Sequence, residues 1–557
     1  MTRDSDSTTR RLSRRGFIKG IVAAATAGGV AAGIPTLLRD PRRARAGGDP
    51  DRKPTFLVVF ATPGGASIID AMLAIRHSES ANFERLNCFP DEEVISVPDS
   101  PFRAVDLQRD SIGPIPFPLV TKQSEFVARH KRDMMVVTAT TTSLTHSIAQ
   151  KRSLTGNNAW NGRTLQEAVA IEYGADYPIA NTNMGYDGYI ESGDDPTVPA
   201  WARNEPISQA TLWPLGLHSS RGLKDLPDPE LIDLARSLRN GKLDPESTFY
   251  RTFELSERLQ RWRSQRGASQ RRIEANDLVS KLNAIPDSPD FPLAEFGFAA
   301  SPDAARMQQI FPDLLADPLE AQAALAFLLL KYRVSVTVTI SPTFASVILP
   351  GRQLRTTPLA FDYSHTAHRA AQAAMWKRTM GMADRLIDLL KSEEFEQGQS
   401  LWDRTVLYFA TDFGRQKQRI NAADSFSTSH DVNNGFLVMS PLVNGNRVLG
   451  GVDPNTGLTY GFDLKTGQPD VHRTTQEAEV YAGLLQVLGV STTGSGLPDV
   501  PAMRRGRPQT ALLIGRRWSG AFGIFIEPWF RILGQPLPNR PWPAAGSGSG
   551  CPERRSP

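Results

Sequence analysis

Four short clusters in this chain collect residues that bind hard metal ions or supply a nucleophile. The first runs from Ser67 to Asp70. The second is Thr145-His146, within Ser143-Leu144-Thr145-His146-Ser147. The third holds Asp362, His365 and His368 in Phe361-Asp362-Tyr363-Ser364-His365-Thr366-Ala367-His368. The fourth runs from Asp412, in Thr411-Asp412-Phe413-Gly414-Arg415, to His430-Asp431. Carboxylate plus imidazole is the ligand set of zinc, manganese and similar divalent ions. The chain has eight His, and four of them (146, 365, 368 and 430) fall in these clusters. A single cluster decides nothing, because a strand-end Asp commonly caps a helix and a loop His is commonly just solvated. Their joint occurrence points to metal chemistry.

The surrounding elements must bring these clusters together. Thr55 to Phe60 is a continuous apolar run before a glycine turn, Pro63-Gly64-Gly65, and so predicts a buried parallel strand. Met134 to Val137 predicts a second, followed by a Thr/Ser-rich loop to His146 and a helix from about Ile148. Gly162 to Glu167 opens another helix over 162–173. Residues 175–230 are rich in Pro, Gly, Asn and Asp and predict irregular chain. Residues 245–283 carry a charged amphipathic pattern that predicts long helices, serving as a lid, a dimer surface or a spacer. An Ala/Leu helix over 317–332 leads into the β-branched strand 334–340. A helix over 368–393, strands 405–410 and 436–439, and a last helix over 475–489 follow. No internal repeat is found. Alternating strands and helices predict an α/β protein with a mostly parallel sheet covered on both faces. Ligands in such sheets sit beyond the C-terminal strand ends, where the four clusters fall.

The formal net charge is +4 and the isoelectric point near 9.0, which invites a nucleic-acid or membrane-surface reading. The charge is concentrated at the N-terminus. Ser13-Arg14-Arg15-Gly16-Phe17-Ile18-Lys19 precedes a weakly apolar Ala/Gly run from Gly20 to Leu38, and Ala44-Arg45-Ala46 has the small-x-small pattern of a signal-peptidase site. This is the pattern of a twin-arginine export signal. Residues 1–46 hold ten Arg/Lys against three Asp, a net +7, which leaves −3 for residues 47–557. The case for nucleic acid from net charge disappears. The expected location is the periplasm or the exterior, with the twin-arginine translocation machinery as a partner. The expected organisation is a signal peptide over 1–46, an α/β domain over 47–505 with an irregular and helical insertion at about 175–330, and a C-terminal extension over 506–557. Membrane contact is expected only through the signal or through residues 509–535, where Phe522, Phe525, Trp529 and Phe530 lie. Only Cys88 and Cys551 exist, too far apart in sequence for a disulfide framework. No Gly-x-Gly-x-x-Gly fingerprint and no Cys cluster supports redox chemistry.

Taken together, the clusters resemble the twin-arginine-exported domain-of-unknown-function family fifteen-oh-one, of the alkaline phosphatase and sulfatase superfamily. The matching motifs are Gly64-Gly65-Ala66-Ser67-Ile68-Ile69-Asp70, Thr145-His146-Ser147-Ile148-Ala149-Gln150, Thr155-Gly156, Gly162-Arg163, Asp362-Tyr363-Ser364-His365, Thr411-Asp412-Phe413-Gly414-Arg415, Ser429-His430 and Gly450-Gly451-Val452-Asp453. The closing helix around Val480-Tyr481-Ala482-Gly483-Leu484-Leu485, followed by Leu488-Gly489-Val490, also fits, so order and spacing agree over residues 55–500. The resemblance implies a three-layer α/β sandwich with divalent metal, zinc among the choices, at the strand ends. It implies Asp70, Asp362, His365 or His368, Asp412 and His430 as ligands. Thr145 or Ser143 would be the nucleophile, and Arg415 would hold the anion or pin its loop. The implied activity is hydrolysis of phosphate or sulfate esters, small or polymeric. Three departures stand out. Asp412 is followed by Phe413 rather than His, which leaves one metal site short of a ligand. Thr145 replaces the family's Ser. An extra residue before His365 leaves His365 and His368 as alternatives. The competing reading is a catalytically silent envelope protein that keeps the fold as a binding or assembly platform. Cys88-Phe89-Pro90-Asp91-Glu92 approaches the sulfatase signature but ends in Glu, and is read as chance.

Overall fold

The computed structural model describes residues 53–109, 119–217, 227–256, 259–260, 263, 276–342, 348–349, 353–354, 361–419 and 426–506. The signal segment, residues 509–535 and Cys551 lie outside them.

Eight strands form one sheet. In chain order they are β1 (Phe56–Thr62), β2 (Met134–Thr140), β3 (Asn181–Asn183), β4 (Glu205–Pro206), β5 (Thr337–Ile340), β6 (Thr405–Thr411), β7 (Asn433–Met439) and β8 (Arg447–Leu449). Their order across the sheet is β8-β2-β7-β6-β1-β5-β3-β4. Every adjacent pair is parallel except those made by β7, which runs antiparallel to both β2 and β6. The protein is therefore α/β with a mostly parallel, mixed sheet. That agrees with the mostly parallel sheet expected, and β7 is its one reversed strand, since an apolar run such as Phe436–Met439 carries no sign of its direction. β1 and β6 are buried along their whole length and pair in register from Phe56↔Thr405 to Thr62↔Thr411. Phe60 and Phe409 stack at 5.0 Å between centroids. Each such buried apolar side chain contributes about 1.5–3 kcal/mol.

Five helices matter to the site or the core. They are α1 (His146–Thr155), α2 (Leu165–Tyr173), α3 (Pro318–Lys331), α4 (Ser364–Ser392) and α5 (Glu477–Val487). Local chemistry sets their ends. Gly156 closes α1 at φ 60°, a left-handed conformation suited to glycine. Thr164 and Glu167 form a reciprocal capping box on α2. The Asp317 side chain accepts from Leu319 N at the start of α3, with Pro318 in the first turn. α4 is broken at Ala367, whose φ of −147° and ψ of 86° are not helical.

The long helices expected over 245–283 lie partly outside the described residues, though 259–260 and 263 are helical. The other described parts of this stretch are short. They give Asp244–Glu246, Thr248–Phe253 and Leu278–Leu282, preceded by Pro229–Leu238 and a π turn at Arg239–Leu243. The helical run from Pro229 ends at Ser247, whose backbone is extended and whose side chain accepts from Tyr250 N to start the next helix. Residues 175–230, read as irregular, supply β3 and, next to it at the sheet edge, β4. Cys88 is buried and free, and burial pushes its thiol up to about 11.

The topology fixes where chemistry can gather. β1, β2 and β6 run the same way, so their C-terminal ends share one edge of the sheet. β7 runs the other way, so its N-terminal end meets them there. The chain leaving β1 carries Gly64 to Asp70, that leaving β2 carries Ser143 to His146, and that leaving β6 carries Asp412 to Arg415. The chain entering β7 carries His430 and Asp431.

Candidate metal centre

The turn after β1 is built from two glycines because neighbouring chain lies against it. Gly64 and Gly65 have φ of +93° and +78°. A Cβ on Gly64 would sit 2.1 Å from Asp362 N, and one on Gly65 would sit 2.9 Å from Arg415 Nε. This turn points its amides at Asp412. Gly64 N donates to Oδ2 at 3.0 Å, Gly65 N to Oδ1 at 2.7 Å and Phe413 N to Oδ1 at 3.1 Å. Asp412 is fully buried. Its remaining strong contact is His146 Nδ1, which donates to Oδ2 at 2.8 Å.

That hydrogen bond orients an imidazole. With Nδ1 committed to Asp412, the His146 Nε2 faces Asp362 Oδ1 at 3.3 Å. His430 is held in the same manner. Its Nδ1 lies 2.7 Å from the Leu144 carbonyl, which can only accept, so Nδ1 donates there and Nε2 is left to face the cluster. Nε2 of His430 lies 3.9 Å from Asp362 Oδ1 and 2.8 Å from His365 Nε2. His365 Nε2 is itself 3.4 Å from Asp362 Oδ1. One carboxylate oxygen thus stands among three imidazole nitrogens. The donor atoms of His146, Asp362 and His430 lie within 4.8 Å of one another. The rings pack as well: Phe413 stacks on His430 at 3.9 Å, with His146 at 4.8 Å.

Arg415 holds the carboxylate from behind. Its Nη2 donates to Asp362 Oδ1 at 2.7 Å, its Nε to Gly64 O at 2.9 Å and its Nη1 to Thr428 O at 3.2 Å. The guanidinium is fully buried, so it pins the loop and does not present itself to a substrate. Burial lowers the Arg415 pKa, with Asp362 and Asp412 acting against that shift. Burial would raise Asp362, but its contacts with His146, His430 and Arg415 hold it well below the usual carboxylate range. Burial would lower His146, yet its bonds to Asp362 and Asp412 raise it to about 9. His365 is lowered, by burial and then by the Arg415 charge.

Asp70 and His368, expected among the ligands, form a separate buried cluster. Asp70 Oδ2 accepts from His368 Nε2 at 3.0 Å, and both its oxygens accept from Asn87 Nδ2 at 3.0 Å. Thr428 Oγ1 lies 2.9 Å from His368 Nδ1 and closes the ring's other side. Asp70, His368, Asn87 and Thr428 are all buried. Burial opposes ionisation of Asp70, but His368 charge and hydrogen bonding lead the groups that lower its pKa. Beside it, the buried Lys417 Nζ donates to Arg415 O and Asn433 O, both at 2.7 Å. Burial lowers Lys417 to about 8, opposed by Asp431 and Asp70.

The structure therefore divides the expected ligands. Asp362, His365 and His430 come together, Asp412 sits behind them, and Asp70 with His368 lies apart. Sequence reasoning counts His146 among the clustered histidines but assigns it no role. A signal exists, since it neighbours Thr145. Asn87 and Thr428 belong to no motif, and nothing in the sequence marks them. Thr145 is exposed at the N-cap of α1 and its side chain does not cap the helix. Ser143 Oγ accepts from Thr145 N at 3.2 Å. Compared with known protein-family models and with curated proteins, the chain matches none.

Proposed function

We propose that this chain is an exported, metal-dependent hydrolase of phosphate or sulfate esters, with the alkaline phosphatase-like architecture that the motif pattern resembles. One observation carries the metal reading. His146 and His430 each anchor Nδ1 on an oxygen acceptor, Asp412 Oδ2 and Leu144 O, and turn Nε2 toward the same Asp362 oxygen. Metal-binding histidines are oriented in this way, by a carboxylate or carbonyl on the ring's far nitrogen. Two imidazoles and a carboxylate, with His365 beside them, form a donor set that suits zinc.

His146, Asp362 and His430 would hold the ion, and when bound it supplies Lewis acidity to water or an ester oxygen. The chain's own groups do the positioning. Asp412 fixes the tautomer of His146. Arg415 fixes Asp362 and offsets its charge. Thr145 and Ser143 place two hydroxyls immediately before His146, and the first amides of α1 add positive potential for an anionic group. The N-terminal sequence supports a periplasmic or extracellular location.

Metal content of the purified protein by mass spectrometry, paired with hydrolysis of p-nitrophenyl phosphate and p-nitrophenyl sulfate, tests the reading. One divalent ion per chain and chelator-sensitive hydrolysis are expected. Stoichiometric metal without hydrolysis of either ester would replace the enzyme with the binding platform. Absence of bound metal after zinc or manganese loading would overturn the site itself.

A further inference from the structure

The chain leaving β3 brings apolar side chains to the edge of the sheet where the metal centre lies. β5 runs parallel to β1 and β3 parallel to β5, so the C-terminal end of β3 shares that edge. The segment that follows, Tyr186 to Ile190, folds onto the first turn of α1. Gly188 N donates to Gln150 Oε1 at 2.8 Å, and a Cβ on Gly188 would sit 2.1 Å from Ser147 O, so only glycine permits this approach. The buried Tyr189 fixes the segment from below. Its hydroxyl donates to Ala410 O in β6 at 3.0 Å, two residues before Asp412, and its carbonyl accepts from Asn183 Nδ2 at 2.7 Å.

Held in this way, the segment keeps its flanking apolar side chains in water. Tyr186 is 43% and Ile190 38% exposed. The chain it folds against does the same, with Leu144 at 45% and Ile148 at 47%. Four large apolar residues gathered on two touching segments mark a binding surface. The surface is continuous with the metal centre, because Leu144 O accepts from His430 Nδ1 at 2.7 Å and Ile148 lies two residues beyond His146. Past Ile148 and Ile190 it turns ionic, where Lys151 Nζ meets Asp194 at 2.8 Å and Glu191 at 3.5 Å, which bounds the apolar area. A protein seated here would also cover the metal centre, whose histidines are partly open to solvent. A small ligand uses both at once: an anionic head held at the centre and at the first amides of α1 leaves its organic group beside these side chains.

Resting on the hydrolase reading above, we propose that the substrate is an ester of an apolar alcohol, aliphatic or aryl. Its hydrocarbon part lies on Leu144, Ile148, Tyr186 and Ile190 while its phosphate or sulfate head meets the metal centre.

A homologous series on the zinc-loaded full chain tests it. Hydrolysis of methyl, butyl and hexyl phosphates and sulfates is measured beside calorimetric binding of methylphosphonate, hexylphosphonate, methanesulfonate and hexanesulfonate, which carry no ester bond. A fully buried methylene is worth about fourfold, so on this open surface the hexyl-to-methyl ratio should reach at least about tenfold, in kcat/KM and in affinity. The variant I148S/I190S should cut both ratios to about threefold or less with an unchanged melting temperature, since both side chains stand exposed. Hydrolysis with ratios near one would overturn the proposal and leave the hydrolase reading intact. Absence of hydrolysis with the affinity ratio kept would support the apolar subsite and remove the hydrolase reading. Ratios unmoved in I148S/I190S would overturn the proposal, as would flat ratios with self-association in sedimentation velocity that the variant abolishes. The last would assign the face to a second copy of the chain.

Discussion

Two clusters of Asp and His lie at the same edge of the sheet, and they differ in what their polar atoms still have to give. Around Asp362, the imidazole nitrogens of His146, His365 and His430 converge on one carboxylate oxygen, and the group is partly open to solvent. Around Asp70, His368 bonds on both ring nitrogens, Asn87 reaches both carboxylate oxygens, and the whole group is buried. The residue types are the same and the chemistry is not. A buried and satisfied network stabilises and specifies a core. A half-open group of imidazole nitrogens around one anion could hold a cation. Residue type alone therefore does not distinguish a ligand from a strut; the partners of its second atom do.

The sharpest way to break this comparison is to remove a carboxylate from the closed cluster. Asp70→Ala leaves His368 and Asn87 buried with unmet partners, and should cost about 3–5 kcal/mol of stability. The same variant should bind metal with unchanged affinity, provided it is assayed where it is folded. Denaturant unfolding and zinc titration check the two halves. A fall in metal affinity with intact stability would move Asp70 into the centre.

Asp362→Asn is the complementary test. It keeps the shape but removes the anion that three histidines face. Metal affinity, read by zinc titration, should fall by more than the ~100-fold upper range seen for outer partners. Some stability should also be lost, because the buried Arg415 loses its counter-charge. Full metal retention would remove Asp362 from the site.

Next in size is Asp412→Asn. If Asp412 orients His146 from behind and does not itself bind the ion, affinity should drop about 10–100-fold rather than vanish. A complete loss of metal would instead make Asp412 a ligand. Equal metal content in variant and parent would break the link through His146.

Much of the architecture that carries both clusters is legible in the sequence, for a physical reason. Buried strands read as unbroken apolar runs, and β1, β2 and β6 lie where those runs lie, extending them by only a few residues. The capping box of α2 is visible as Thr164 and Glu167. The direction of β7 is not legible, since it depends on the side from which the chain returns to the sheet. The four clusters can be found in the sequence, but their division cannot. His365 and His368 are three apart, and an unbroken helix would set both on one face. The break at Ala367 turns them to different clusters, so that His365 meets His430 while His368 meets Asp70. The closure of the second cluster rests on Asn87 and Thr428, which come from segments with no motif. The insertion carries its amphipathic pattern, and among its described residues Ser247 divides one helix from the next.

The smallest expected effect separates the two clusters by pH. In the metal-free protein His146 titrates at about 9, above the ~6.5 of an unfolded histidine. The folded state then binds the extra proton, so this contribution is fully present below about pH 6.5 and is lost as pH rises through 9. Lys417 behaves in the opposite sense. It titrates at about 8 when folded and near ~10.4 when unfolded. Over that interval the unfolded state binds more protons, and stability rises with pH. Melting temperatures in chelator should therefore fall from about pH 6.5 to about 8 and level or recover above that. His146→Asn should remove the fall and Lys417→Met the recovery. Added zinc should stabilise increasingly with pH through the first interval, because binding needs the neutral imidazole and releases its proton. A zinc effect independent of pH, or unchanged in His146→Asn, would separate His146 from the metal and leave the open cluster no different in kind from the closed one.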